Sequence, residues 1–166
     1  MIFIGLGANL ESAEYGSPTA ILKAALGILS TTNCSVIRRS AWYRSTPVPA
    51  SSQPLYINGV AELDCALSPD KLLLYLHSIE DKFGRVRSTV NAPRIIDLDL
   101  LVYDDQVLLS DPGPIVPHPR MQDRAFVLLP LRDLVSDWVD PRNGRPIQEL
   151  IDNLSGEQEC VLADQG

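Results

Sequence analysis

The sequence predicts an α+β domain in which an antiparallel sheet packs against helices. Two segments begin with Ser-Pro and continue with apolar residues at helical spacing. Other segments alternate apolar and polar residues with a period of two, or are rich in β-branched and aromatic residues, as strands are. These segments follow one another in the order βαββαβ, which is typical of a single small sheet with its helices on one face.

The first half of the chain opens with a strand and a helix. Ile2 to Gly7 alternates with a period of two and runs into a Gly-Ala-Asn turn. Ser17 is a good helix cap and Pro18 suits the first helical position, so we expect a helix from about Pro18 to Leu29. A Pro- and Ser-rich loop then joins two further strands, expected at Cys34 to Arg44 and Tyr56 to Leu67.

The second half repeats the pattern and adds two helices. Ser68-Pro69 starts a helix that Gly84 ends. Ile95 to Tyr103 is a strong strand, and Val107 to Leu109 is a short one. The remaining elements are a proline-rich loop followed by two C-terminal helices, expected at Ser110 to Pro119, Ala125 to Leu134 and Ile147 to Leu154. Residues 1–166 are therefore expected to form one ferredoxin-like domain with extra C-terminal helices.

Composition and charge exclude several classes of protein. The 166 residues are 45% hydrophobic, and 14 basic against 21 acidic side chains give a net charge of −7, which disfavours nucleic acid or an anionic membrane as a partner of the whole surface. No apolar run approaches the roughly 18 residues of a membrane span, and the N-terminus lacks a signal peptide's basic region. The cysteines are interpreted as reduced thiols of a cytoplasmic protein: Cys34, Cys65 and Cys160.

Positive charge is concentrated between residues 82 and 94, where four cations and no acid occur in a chain that is acidic overall. Three of the four are arginines, whose planar guanidinium groups match phosphate or carboxylate oxygens: Arg85, Arg87 and Arg94. The alternative interpretation is a solvated loop whose arginines pair with surface acids.

Two aspartates follow this basic segment on a predicted strand. Asp97 and Asp99 share one face, roughly 6.5 to 7 Å apart at the backbone, while Ile96, Leu98, Leu100 and Val102 are expected to form the buried face. Two carboxylates this close repel each other unless a cation intervenes, and their hard oxygens suit Mg²⁺. Hydrated acids at a strand end, one of them neutralised by Arg94, are the alternative.

The basic segment and the acidic pair together indicate a site for a magnesium nucleoside polyphosphate. Other nucleotide signatures are missing, because no lysine follows a glycine as in a Walker A loop and Gly5-Leu6-Gly7 lacks the third glycine of a dinucleotide fingerprint. His118 lies in a loop that runs on to Arg120 and Arg124, which makes it a candidate for facing the same phosphates. His77 is interpreted as structural.

Several motifs resemble those of the 6-hydroxymethyl-7,8-dihydropterin pyrophosphokinase family of folate biosynthesis, in the family's order. They extend from Ile4 to about Pro141 and include Gly7-Ala8-Asn9-Leu10, Trp42-Tyr43-Arg44-Ser45, Gln53-Pro54-Leu55-Tyr56-Ile57-Asn58, Gly84-Arg85-Val86-Arg87, Pro93-Arg94-Ile95-Ile96-Asp97-Leu98-Asp99, Val116-Pro117-His118 and Arg124-Ala125-Phe126. The loop after Arg44 departs from the family pattern at Pro49, and Asn91 stands where the family often has tryptophan.

The resemblance implies a reaction and a set of site residues. The hydroxyl group of a pterin alcohol would attack the β-phosphorus of ATP, and AMP would leave. Asp97 and Asp99 would hold two Mg²⁺ ions. Arg85, Arg87 and Arg94 would clamp the phosphates, with Arg87 and Arg94 favoured as contributors to the transition state. Glu80, His118 and Arg124 would contact the nucleotide.

For the pterin, the resemblance implies that Tyr56 and Phe126 sandwich the ring, that Asn58 hydrogen bonds its edge, and that Ser45 to Val48 supplies backbone contacts. Plain core packing is the alternative for the two aromatic rings. Two other functions stay open: a non-catalytic nucleotide-binding or sensor module of the same fold, and an RNA-binding domain. The expected partners are the pterin and ATP, without nucleic acid or membrane, and the expected state is a cytoplasmic monomer.

Overall fold

The computed structural model describes residues 1–31, 33–84 and 95–163, and an antiparallel sheet forms its centre. β1 (Ile2–Ala8) lies between β5 (Asp97–Tyr103) and β4 (Tyr56–Cys65). The far edge of β4 pairs with β2 (Cys34–Arg39) and then with β3 (Tyr43–Ser45), which β8 (Cys160–Leu162) extends. Two short strands form a separate ribbon, β6 (Leu108–Leu109) and β7 (Ile115–Val116).

Four helices accompany the sheet: α1 (Pro18–Leu29), α2 (Pro69–Lys82), α3 (Ala125–Leu134) and α4 (Ile147–Asp152). The hydroxyl groups of Ser17 and Ser68 cap α1 and α2 as the Ser-Pro signals predict. The predicted α+β fold is confirmed, with the second strand of the βαββαβ order divided into β2 and β3. None of the helices described is long and apolar enough to cross a membrane.

Helices cover both faces of the sheet. Ile2, Ile4 and Leu6 of β1 pack with α1 and α2, whereas Phe3 belongs to a second buried cluster with α3 and α4. The expected packing on one face therefore holds for α1 and α2 only. The two C-terminal helices also have an apolar side to bury, and they cover part of the opposite face.

A shift in the register between β1 and β5 changes the prediction for one residue of the buried face, Val102. Phe3 lies opposite Val102 but Ile4 lies opposite Leu100, so Leu101 is an extra residue of β5. Leu98 and Leu100 join the cluster beneath α1 and α2 as expected, but Val102 packs beside Leu101 in the cluster beneath α3. Strict alternation along the strand cannot reveal such a bulge.

The cysteine interpretation is also wrong for one pair. β2 and β4 bring Cys34 and Cys65 directly opposite each other, with 4.1 Å between their Cα atoms, and a disulfide joins them. Cys160 is a free thiol. The two cysteines are 31 residues apart, and their pairing depends on the register between β2 and β4, which cysteine spacing alone does not report.

Gly59 of β4 provides a test of the packing beneath α1 and α2. A Cβ atom on Gly59 would lie 2.6 Å from Cζ3 of the Trp42 ring, so we expect Gly59→Ala to lower the free energy of unfolding by about 1–3 kcal/mol through overpacking. Gly27 of α1 is the matched control, because a Cβ there meets nothing within 4 Å. Gly27→Ala should raise stability by about 0.5–1 kcal/mol. Urea unfolding measures both, and equal effects would contradict the predicted packing.

Candidate active site

A cavity of about 220 Å³ opens on the sheet face that carries α3. Strands β1, β3, β4 and β5 form its floor, and the loop that follows β3 and the start of α3 form its walls. The cavity brings together eight of the predicted site residues: Ser45, Val48, Tyr56, Asn58, Asp97, Asp99, Arg124 and Phe126.

Two glycines of β1 create the floor of this cavity. Gly5 lies opposite Asp99, and Gly7 lies between Asp97 on one neighbouring strand and Asn58 on the other. A Cβ atom on Gly7 would lie 3.2 Å from Oδ1 of Asn58. Because β1 presents no side chains here, carboxylates from β5 and an amide from β4 can face the same space.

Asp97 and Asp99 both line the cavity, as the alternation of β5 predicts. Within the ranges 1–31, 33–84 and 95–163, no group of three or more His, Cys, Asp or Glu side chains could hold a metal ion. Mg²⁺ is commonly bound by one or two carboxylates, with the other positions filled by water and substrate phosphates. The aspartate pair therefore fits Mg²⁺ that arrives with a polyphosphate.

Two arginines line the same cavity as the aspartates. Arg120 and Arg124 flank the short 3₁₀ helix Met121–Asp123, and both line the cavity. The guanidinium carbon of Arg124 lies 5.4 Å from the centroid of the Phe126 ring, a cation–π contact. Arginine and aspartate groups thus stand around one space, which suits a ligand that carries anionic oxygens and a metal ion.

His118 lies just before these arginines and is held neutral. Its Nδ1 accepts a hydrogen bond from the Arg120 backbone N–H (3.2 Å), so the proton of the neutral ring is on Nε2. Burial, together with the guanidinium groups of Arg124 and Arg120, lowers the pKa of His118 from 6.5 to about 4, although Asp97 acts in the opposite direction. His118 does not line the cavity itself, and its contact with a nucleotide stays a prediction.

A buried ion pair supports the segment that carries His118. The Arg142 guanidinium donates to both carboxylate oxygens of Asp140, which is fully buried. It also donates to the side chain of Gln122 (3.1 Å) and to the carbonyl oxygen of His118 (3.5 Å). Residues 118–124 are therefore fixed to the turn that precedes α4.

An amide and two aromatic rings line the same cavity. Asn58 Nδ2 donates to Ser45 Oγ at 2.7 Å, and both side chains are buried. The Tyr56 hydroxyl donates to Gln53 Oε1 (3.3 Å), and Phe126 approaches from α3. Tyr56 and Phe126 both line the cavity and are partly buried, and Phe126 also packs against the second core cluster.

Four predicted site residues remain, Glu80 and three arginines. Glu80 of α2 is fully buried, does not line the cavity, and accepts a hydrogen bond from the Leu98 backbone N–H at 3.2 Å. Its carboxylate thus supports β5 between the two aspartates, and its predicted contact with the nucleotide is not tested. Arg85, Arg87 and Arg94 lie outside the described residues.

Sequence reasoning missed several residues of the site. Gly5 is predicted only as part of an incomplete dinucleotide fingerprint and Gly7 also as part of a motif, and neither is predicted to line the site, yet they alternate on β1 as the aspartates do on β5. That shared period of two was the available signal. Gln53, which stands in a motif, and Arg120, which follows His118, also line the cavity, but no role there is predicted for either.

The family profile of 7,8-dihydro-6-hydroxymethylpterin-pyrophosphokinase (HPPK) matches residues 3–136. The chain belongs to this family. It is 43% identical over 151 residues to the 2-amino-4-hydroxy-6-hydroxymethyldihydropteridine pyrophosphokinase of Synechocystis sp., covering 91% of this chain and 74% of the relative. Identity to the enzyme of that name from Haemophilus influenzae is 39%, with 96% of each chain covered. The family predicted from the motifs is confirmed.

A solved structure supports the fold. The crystal structure of wild-type Plasmodium falciparum HPPK-DHPS superposes with a TM-score of 0.69 at 14% identity, over 91% of this chain. The chain spans 40% of the length of that protein. At this identity the comparison speaks for the HPPK fold alone.

The lowered pKa of His118 predicts a pH effect in the metal-free protein. Because the folded-state pKa is about 4 and the ordinary value is 6.5, the unfolded chain takes up the proton first, and the free energy of unfolding should decrease as the pH falls through that window. A histidine NMR titration should show a midpoint near pH 4, and His118→Asn identifies the resonance. The variant should also lose part of the pH dependence of stability. A midpoint near 6.5 would contradict this environment.

Proposed function

We propose that the protein transfers diphosphate from MgATP to the hydroxymethyl group of 6-hydroxymethyl-7,8-dihydropterin and releases AMP, as a step in folate biosynthesis. One observation carries the proposal: the aspartate pair, Arg120 and Arg124, and the Asn58 amide with its two aromatic neighbours line a single cavity. A ligand that combines a polyphosphate with a flat polar ring would satisfy all of them.

The polyphosphate would lie between the arginines and the aspartates. Asp97 and Asp99 would hold two Mg²⁺ ions, which neutralise charge on the phosphate oxygens when bound. Arg124 would pair with those oxygens, and the Nε2–H group of His118 would be a neutral donor. Arg85, Arg87 and Arg94 follow α2 in the sequence, and we propose that they supply further cations to the same phosphates.

The pterin would occupy the end of the cavity near β3 and β4. Tyr56 and Phe126 offer aromatic faces for a flat ring. Since Asn58 already donates to Ser45, and its Oδ1 lies against the cavity-lining Gly7, that oxygen is oriented to accept from an N–H group on the ring edge. The loop from Ser45 to Val48 borders the same end.

The reaction itself is a displacement at phosphorus. The acceptor hydroxyl forms a new bond to the β-phosphorus, the bond from that phosphorus to the bridging oxygen of AMP breaks, and the hydroxyl proton passes to solvent. The loose transition state of phosphoryl transfer reduces the need for a strong base. The contribution of the protein is therefore to position both substrates and stabilise charge. We further propose that it works as a cytoplasmic monomer.

Pterin-dependent AMP release is the experiment that tests this function. The purified protein is incubated with MgATP, with and without 6-hydroxymethyl-7,8-dihydropterin, and AMP and ADP are separated. We expect AMP only when the pterin is present, in equal amount to the diphosphorylated pterin. Formation of ADP would refute diphosphate transfer. MgATP binding without any AMP would favour a sensor module instead.

The aspartate pair gives a second test. Asp97→Asn and Asp99→Asn should each lower kcat by about 10²-fold or more, because each removes charge that holds the metal against the phosphates. Asp105→Asn, which changes an exposed aspartate just beyond β5, is the control and should retain parental activity. Steady-state kinetics over a range of Mg²⁺ concentrations measures the effect. Parental activity in both site variants, with unchanged circular dichroism, would rule out the metal role.

A further inference from the structure

One glutamine of the C-terminal segment, Gln158, forms hydrogen bonds to the backbone on both sides of Arg124. Gln158 Oε1 accepts a hydrogen bond from the Ala125 backbone N–H (2.9 Å), and Gln158 Nε2 donates to the Asp123 carbonyl oxygen (2.8 Å). These two backbone groups directly precede and follow Arg124. Gln158 itself is partly buried and does not line the cavity.

The backbone conformation at Arg124 leaves an N–H group at the start of α3 that needs a hydrogen-bond acceptor. Arg124 is the N-cap residue of α3 and adopts an extended conformation, with φ −119° and ψ 109°, and its own side chain makes no cap hydrogen bond. The first N–H groups of a helix have no partner within the helix. Gln158 supplies one for Ala125 from 33 residues away and binds the end of the preceding 3₁₀ helix with the same amide. The amide can do both because it carries an acceptor oxygen and a donor NH₂ group.

The same segment also holds the other wall of the cavity. The Glu159 carbonyl oxygen accepts from the Thr46 backbone N–H (3.2 Å), and Cys160 of β8 lies opposite Ser45 of β3. Ser45 and Thr46 line the cavity. Three consecutive residues, 158–160, therefore join β3 and the loop that follows it to the wall that carries Arg124.

We propose that Gln158 is a positioning residue. By fixing the backbone on both sides of Arg124 relative to β3 and the loop that follows it, Gln158 holds the Arg124 guanidinium in the position that binds MgATP. This proposal rests on the proposed function of the cavity. Gln158 touches no substrate in this arrangement and acts through Arg124.

A double-mutant cycle on nucleotide binding tests the proposal. The affinity for the magnesium complex of a non-hydrolysable ATP analogue is measured by calorimetry for the parent protein, Gln158→Leu, Arg124→Ala and the double variant. Gln158→Leu should weaken binding by about tenfold, within the range of coupled neighbours. In the Arg124→Ala background the same change should have an effect of less than about twofold, since the group it positions is gone.

Gln148 of α4 is the matched control. Its side chain also makes two hydrogen bonds, from Arg132 Nη1 (3.3 Å) and to Asp152 Oδ1 (2.9 Å), and it does not line the cavity. Gln148→Leu should leave nucleotide affinity unchanged. If Gln158→Leu does not fold, Gln158→Glu replaces it in the cycle, because it keeps an acceptor for Ala125 but cannot donate to Asp123 when ionised.

Two outcomes overturn the proposal: unchanged nucleotide affinity in a folded Gln158 variant, or a full additional loss on top of Arg124→Ala. Steady-state kinetics adds a readout, because the KM for MgATP should rise more than the KM for the pterin. A parent protein that binds the analogue but releases no pterin-dependent AMP would refute the proposed function, and the binding cycle would still decide the role of Gln158.

Discussion

The absence of side chains at Gly5 and Gly7, on the face of β1 that also carries Phe3, is the constraint on which the site depends. β1 lies in the middle of the sheet, and its other face is fully apolar and buried. Glycine within a strand weakens it, because the backbone loses more freedom and nothing packs. At Gly5 and Gly7 the missing side chains cost strand stability, but they open the space into which Asp97, Asp99 and Asn58 project. Substrate binding and strand stability are in direct competition at these two positions.

This competition is resolved because one face of the sheet provides the stability and the other face provides the space. The face beneath α1 and α2 is a continuous core, and it holds the strands in register. The opposite face is core only at the end where Phe3, Leu101 and Val102 meet α3. The extra residue in β5 lies at the boundary, because it turns two consecutive apolar residues toward α3 while Asp97 and Asp99 still face the cavity. The site occupies the part of the sheet that α3 and α4 leave uncovered.

Sequence patterns predicted what depends on local periodicity. The bounds of α1 and α2 and the shared face of Asp97 and Asp99 follow from capping residues and from alternation. The face that α3 covers, the strand β8 and the Cys34–Cys65 pairing all depend on contacts between distant segments. Gln158 is the clearest case, since it belongs to no motif and reaches the backbone beside Arg124 only through the course of the chain.

Burial, together with the positive charge of two arginines, explains why His118 is neutral. Arg120 and Arg124 place positive charge beside His118, and a protonated imidazole there would add like charge in a partly desolvated position. Because the Arg120 N–H group occupies Nδ1, the neutral ring still presents an N–H at Nε2. The neutral ring of His118 therefore keeps a hydrogen-bond donor at Nε2 without adding positive charge beside Arg120 and Arg124.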